Sequence, residues 1–187
     1  MLLECGENRT ASAMAIKYIL SLVFVFVYIL FGNEIGFATN SPWWTHLTYS
    51  LQHASILHLV INTLVFINVF RLMQGFTSWK ELLPLIYVIA VASSFFATKD
   101  IPTVGASGMI YAMFGMMSVI VAFNVSPPKQ KLTFFCSIGI MLLISYFNSN
   151  SNFMVHILAF CAGAIVWILR GKLDNHLNNI LWKQLIS

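Results

Sequence analysis

Charge is scarce in this sequence: Asp, Glu, Lys and Arg together fill 9% of its 187 positions, whereas 59% are hydrophobic. Soluble domains carry charge at about a quarter of their positions, so a soluble globular domain is excluded and a membrane protein is implied. Carboxylates are scarcer still. Glu4, Glu7, Glu34, Glu81, Asp100 and Asp174 are the full set, and all fall outside the long apolar runs. An intramembrane aspartyl protease, a zinc protease of the HExxH type and a Ser-His-Asp triad each need a carboxylate at depth, and the runs offer none. Cys5, Cys136 and Cys161 are isolated, which excludes a CxxC metal pair and a disulfide framework. No metal, nucleotide or other cofactor is expected.

Long apolar runs are what the sequence does have: Ala13 to Phe31, Tyr49 to Phe70, Leu82 to Ala97, Val104 to Phe123, Leu132 to Phe147 and Phe153 to Leu169. They predict an all-α, polytopic membrane protein with six transmembrane helices in residues 13–169, a single domain over residues 1–187. Two runs fall short of the roughly 20 residues that a bilayer helix needs, so those spans are expected to be surrounded by protein or set in a thinned membrane. Residues 1–12 lack a small-residue cleavage site beyond the first run and read as an uncleaved cytoplasmic leader.

Threading the six runs from a cytoplasmic N-terminus puts Arg9, Lys17, Arg71, Lys80, Lys129, Lys131, Arg170, Lys172 and Lys183 on the cytoplasmic side and only Lys99 outside. Both termini are therefore expected in the cytoplasm, for a multi-pass protein of the bacterial cell (inner) membrane. This topology and contact with the lipid bilayer account for the net charge of +4 without a nucleic-acid partner. In residues 170–187, Leu173, Leu177, Ile180, Leu181 and Leu185 recur at helical spacing, as in an amphipathic cytoplasmic tail lying on the surface.

Polar side chains within the runs are the functional candidates, because hydrocarbon tolerates them poorly. In this topology the second, fourth and sixth runs all enter from the outer face. Ser107 and His156 stand near the start of the fourth and sixth, about 5 to 8 Å below the outer boundary at the helical rise. His58 and Asn62 are four residues apart on the second run and share a helix face. His53 precedes His58 by five residues, roughly 140° around the helix, and is expected to belong to a different contact. Gly105, Ala106 and Gly108 flank the serine. Gly115 lies further along the span, and such small residues also serve helix packing, for which Ala159, Ala162 and Gly163 on the sixth run could supply the facing surface.

A serine hydroxyl becomes a nucleophile when a neutral imidazole within hydrogen-bond reach takes its proton. Backbone N–H groups at a helix start favour a developing oxyanion, and His58 and Asn62 could add donors to it. With no carboxylate at depth, a Ser-His dyad is the form such chemistry would take.

These residues resemble the rhomboid family of intramembrane serine proteases. The matching strings are Trp44, Thr45, Thr48 and Tyr49 leading into His53 through His58 to Asn62, then Gly105 to Gly108 with Tyr111, and finally His156 with Gly163. The resemblance runs from about Pro42 to Gly163. It implies Ser107 as nucleophile, His156 as base, and His58, Asn62 and the Ser107 amide around the oxyanion. It also implies Tyr111 packed against the histidine and His53 bracing the outer end of the second span. The implied partners are single-span transmembrane protein substrates, cut near the outer end of the span, with Leu132 to Phe147 and the loop Asn148 to Asn152 as the moving gate. No Arg follows Trp44, so a reduced lipid-facing loop is expected, and Ala159 in place of a usual Gly with Val155 in place of a common Ala implies a looser or shifted fit between the fourth and sixth spans.

Three other readings remain. A non-catalytic rhomboid-like protein could bind or escort transmembrane helices on the same bundle. A haem held by His58 and His156 is disfavoured, since both lie near one face beside a serine and an asparagine. A channel is disfavoured, since one polar cluster does not cross a membrane.

Overall fold

A computed structural model describes the backbone of residues 2–31, 36–97, 100–123 and 127–186, and side chains from residue 15 to residue 171 within those ranges. Lys99, Glu34, and the side chains of the leader and of the tail beyond residue 171 lie outside the described residues. The elements are α1 (Leu2–Phe31), α2 (Thr45–Thr48) running into a 3-10 turn (Tyr49–Leu51), α3 (Ile56–Met73), α4 (Trp79–Phe95), α5 (Ser107–Phe123), α6 (Pro128–Phe147) and α7 (Phe153–Ile186). The described residues form an all-helical bundle. α3, α6 and residues Phe153–Gly171 of α7 are long and apolar enough to cross a bilayer, and Ala15–Phe31 and Ser107–Phe123 are shorter apolar helices.

Local chemistry sets the helix starts. The Ser55 hydroxyl accepts from the His58 amide and caps α3, the Ser78 hydroxyl accepts from Lys80 N and caps α4, and Pro128 opens α6, where its missing N–H costs nothing. α6 thereby begins ahead of its apolar run and reaches 20 residues, a full span.

The second run is not one helix, which corrects the sequence reading. Residues Thr45 to Leu51 form two short turns, the backbone is extended at Gln52, and α3 starts only at Ile56. The Ser55 cap enforces this break, because its extended backbone cannot continue the preceding turn. His53 therefore stands before α3 rather than on it. Phe37 and Thr103 exchange backbone hydrogen bonds of 3.2 and 2.7 Å and tie the first loop to the approach to α5.

α5 occupies the centre and is buried without interruption from Gly108 to Met116. It packs most tightly on α7. A Cβ on Gly115 would strike the Phe160 carbonyl, and one on Gly163 would strike the Ala112 carbonyl, so the two backbones touch at two levels. Ala159 is fully buried beside this contact. The close approach itself is made at Gly115 and Gly163. Arg170 of α7 bonds Glu81 at 2.8 Å and Thr77 at 2.9 Å, joining α7 to the start of α4. That pairing holds the exposed Glu81 carboxyl below its ordinary range.

Candidate active site

Ser107 is the first residue of α5, and the turn before it depends on glycine. Gly105 has φ of 117°, a left-handed conformation that disfavours any side chain, and its amide donates to the Tyr49 carbonyl at 2.9 Å. Tyr49 is in turn fixed by its hydroxyl, which donates to the Ala90 carbonyl at 3.0 Å. A Cβ on Gly105 would stand 2.7 Å from His58 Cε1, 3.0 Å from its Nε2 and 3.8 Å from Asn62 Nδ2. Gly105 thus lets the imidazole and the amide approach the backbone two residues before the serine. Gly108 is needed for space: its Cβ would meet the Tyr49 hydroxyl at 2.6 Å and Val155 at 3.4 Å.

His156, on the first turn of α7, places Nε2 at 2.8 Å from Ser107 Oγ. Its ring stacks on Tyr111 with centroids 4.3 Å apart and planes at 19°. The Tyr111 hydroxyl donates to the Met141 carbonyl of α6 at 3.1 Å, so the ring under the imidazole is itself held. Asn152 sets the start of α7: its side chain donates to the Ala97 carbonyl at 2.6 Å and to Thr103 Oγ1 at 2.8 Å, while its own carbonyl accepts from His156 N at 3.3 Å. This end of the loop after α6 is pinned and buried, whereas Asn148 to Asn150 are exposed.

His58 and Asn62 lie on one face of α3. His58 Nδ1 accepts from the Ala54 amide at 3.3 Å, so in the neutral ring Nε2 carries the hydrogen and is a donor towards the Gly105 turn. One hydrogen of the Asn62 amide goes to the His58 carbonyl at 2.9 Å, which fixes the side chain along the helix. Arranged this way, the site has a hydroxyl paired with an imidazole, and a turn backed by two further donor side chains.

His53 is fully buried, its ring 5.3 Å from that of His58 and 5.4 Å from that of Phe24 on α1. It joins α1 to the site residue rather than serving a separate contact, because the break before α3 turns it inward. Neither ring nitrogen makes a well-formed hydrogen bond. Burial, then the neighbouring His58, pushes its pKa down to about 3, against a smaller opposing effect of the Leu51 carbonyl.

Two serines at the site had no signal in the spacing of the runs. Ser145 Oγ of α6 lies 2.6 Å from His156 Nδ1, and Ser151 Oγ lies 2.8 Å from Ser145 Oγ and 3.4 Å from the same nitrogen. The one hint was that Ser145 falls near the end of its run, as His156 falls near the start of the next.

The sequence also matches known proteins. A family model described as the Rhomboid domain matches residues 40–172, a stretch that contains every site residue named above. The chain is 29% identical over 149 residues to a protein of Bacillus subtilis (strain 168) named "Putative rhomboid protease YdcA", covering 74% of this chain and 72% of that one. It is 23% identical over 171 residues to "Putative rhomboid protein L523" of Acanthamoeba polyphaga mimivirus, covering 85% of this chain and 96% of the relative.

Proposed function

This chain belongs to the rhomboid family, and on that premise we propose that it is an intramembrane serine endopeptidase. Its substrates are single-span membrane proteins, cut near the outer end of their transmembrane helix. The carrying observation is the 2.8 Å contact between Ser107 Oγ and His156 Nε2, backed by the Tyr111 ring. In the forward step Ser107 Oγ attacks the scissile carbonyl while its proton passes to His156 Nε2. The carbonyl oxygen becomes an anion facing the Ser107 amide, with His58 Nε2–H and Asn62 supplying further donors. Collapse of the tetrahedral intermediate expels the amine, which takes the proton back from His156 and leaves an acyl-enzyme. Water, activated by the same imidazole, then hydrolyses the ester and restores Ser107.

The chain is an integral membrane protein, and six spans with both termini in the cytoplasm fit this chemistry. That topology puts Ser107 near the outer face, where water is within reach. The test is cleavage of a labelled single-span substrate by purified protein in liposomes. Ser107→Ala and His156→Ala should each reduce the rate by at least about a hundredfold while leaving the protein folded. A folded wild type that binds the substrate without cutting it would instead make the protein an escort for transmembrane helices.

A further inference from the structure

Hydroxyls inside the helices of this protein mostly bond to their own helix. Ser21 donates to the Lys17 carbonyl, Ser93 to Ile89, Ser118 to Gly115 and Ser137 to Thr133, all at 2.7 to 2.8 Å. Such a bond is the cheapest way to satisfy a serine in hydrocarbon. Ser145 departs from this pattern. It lies on α6, which buries only Ile138 and Ser145, and its hydroxyl turns to His156 Nδ1 at 2.6 Å and to Ser151 at 2.8 Å.

The chemistry of imidazole gives that contact a consequence. A neutral ring carries one hydrogen, so Nε2 can accept the proton of Ser107 only if Nδ1 holds the hydrogen. A hydrogen on Nδ1 needs an acceptor, and the described residues place no carboxylate beside it. With the hydrogen on Nδ1, Ser145 Oγ at 2.6 Å is the nearer acceptor, and its contact with Ser151 Oγ can take the hydrogen of Ser145. We propose that Ser145 is the positioning residue for His156: it selects the Nδ1–H tautomer and holds the ring towards Ser107, taking the place that a carboxylate has in a triad. Ser145 exchanges no proton. The proton moves from Ser107 Oγ to His156 Nε2, and the Nδ1–H bond to Ser145 strengthens as the ring becomes an imidazolium.

This inference rests on the dyad reading above, and the test separates the two. Ser145→Ala and Ser145→Thr would be compared with wild type for kcat and KM in liposomes, with folded fraction followed by thermal unfolding. The tautomer would be read by nitrogen-15 NMR of histidine-labelled protein. A hydrogen bond to a group that becomes charged is worth roughly ten- to a hundredfold in rate. Ser145→Ala should lose that much kcat with KM unchanged, Ser145→Thr should retain most of it, and the alanine variant should show a mixture of tautomers at His156. An active wild type with unchanged kcat in Ser145→Ala overturns the proposal and leaves the dyad standing. Equal loss in the threonine variant, or loss explained by unfolding, also overturns it. If wild type does not cleave, the protease reading falls, and the NMR alone decides: the same single tautomer in wild type and Ser145→Ala removes Ser145 from the role.

Discussion

α5 and α6 are successive helices of 17 and 20 residues, yet the bundle treats them in opposite ways. α5 is enclosed along most of its length, with α3, α4 and α7 around it, and it meets α7 backbone to backbone at Gly115 and Gly163. α6 turns Ile140, Leu143, Ile144 and Phe147 outward, and its polar ties to the bundle include Tyr111 to the Met141 carbonyl and Ser145 to His156. In a bilayer, apolar side chains gain little from leaving lipid for protein, so close contact and hydrogen bonds decide what holds. Shape holds α5, and a few directed bonds at the site hold α6. The nucleophile candidate thus sits on the most constrained helix, and the imidazole beside it is bridged to the least constrained one.

The largest break in this comparison should come from filling the α5 and α7 contact. Gly115→Val or Gly163→Val would drive a branched side chain into backbone of the partner helix, which cannot rotate aside. Overpacking commonly costs about 1 to 3 kcal/mol when side chains can adjust, and here the obstacle is main chain, so a loss at or above about 3 kcal/mol is expected. Reversible unfolding in bicelles would measure it. A loss below about 1 kcal/mol would show that the helices can separate, and shape would no longer explain why α5 is fixed.

A second, smaller effect tests the packed half at its weak point. His53 is buried between Phe24 and His58 with its pKa depressed from 6.5 to about 3. Below pH 6.5 the unfolded chain binds a proton at this residue that the folded chain does not. Stability is therefore full above pH 6.5 and falls as the pH drops towards 3, by up to about 1.4 kcal/mol per unit. His53→Gln should flatten the difference between unfolding curves at pH 7 and pH 5. An unchanged slope in that variant would move the origin of the pH dependence elsewhere, for instance to His46, which burial also shifts downward.

How much of this was legible beforehand varies with the physical origin of each feature. Hydrocarbon selects composition strongly, so the six long helices among the described residues stand where the apolar runs do. Helix continuity is selected weakly, and the run from Tyr49 to Phe70 hid a break that only the capping role of Ser55 marks. Spacing also gives depth along a helix. It put Ser107 and His156 at one level, while the azimuth that brings Nε2 to 2.8 Å comes from α5 and α7 touching at their glycines. Ser145 was missed, because a serine in a helix usually bonds its own backbone and its position near the end of the run does not by itself single out one that does not. His53 was read as a helix residue because its place in a broken segment is a tertiary outcome.

The mildest change addresses α6 directly. Gly139 lies mid-helix, and a Cβ built there meets nothing within 4 Å, in contrast to Gly115 and Gly163. Gly139→Ala therefore adds a methyl to open lipid-facing surface and removes backbone freedom that glycine alone has. The expected result is a gain of no more than about 1 kcal/mol in the same unfolding measurement, with cleavage unaffected. The sign carries the information. A gain means that α6 behaves as a helix facing lipid on this side, held from the other side by its bonds to Tyr111 and His156. A loss means that another protein surface approaches Gly139 as closely as α7 approaches Gly115, and α6 would then belong to an interface rather than to an open edge of the bundle.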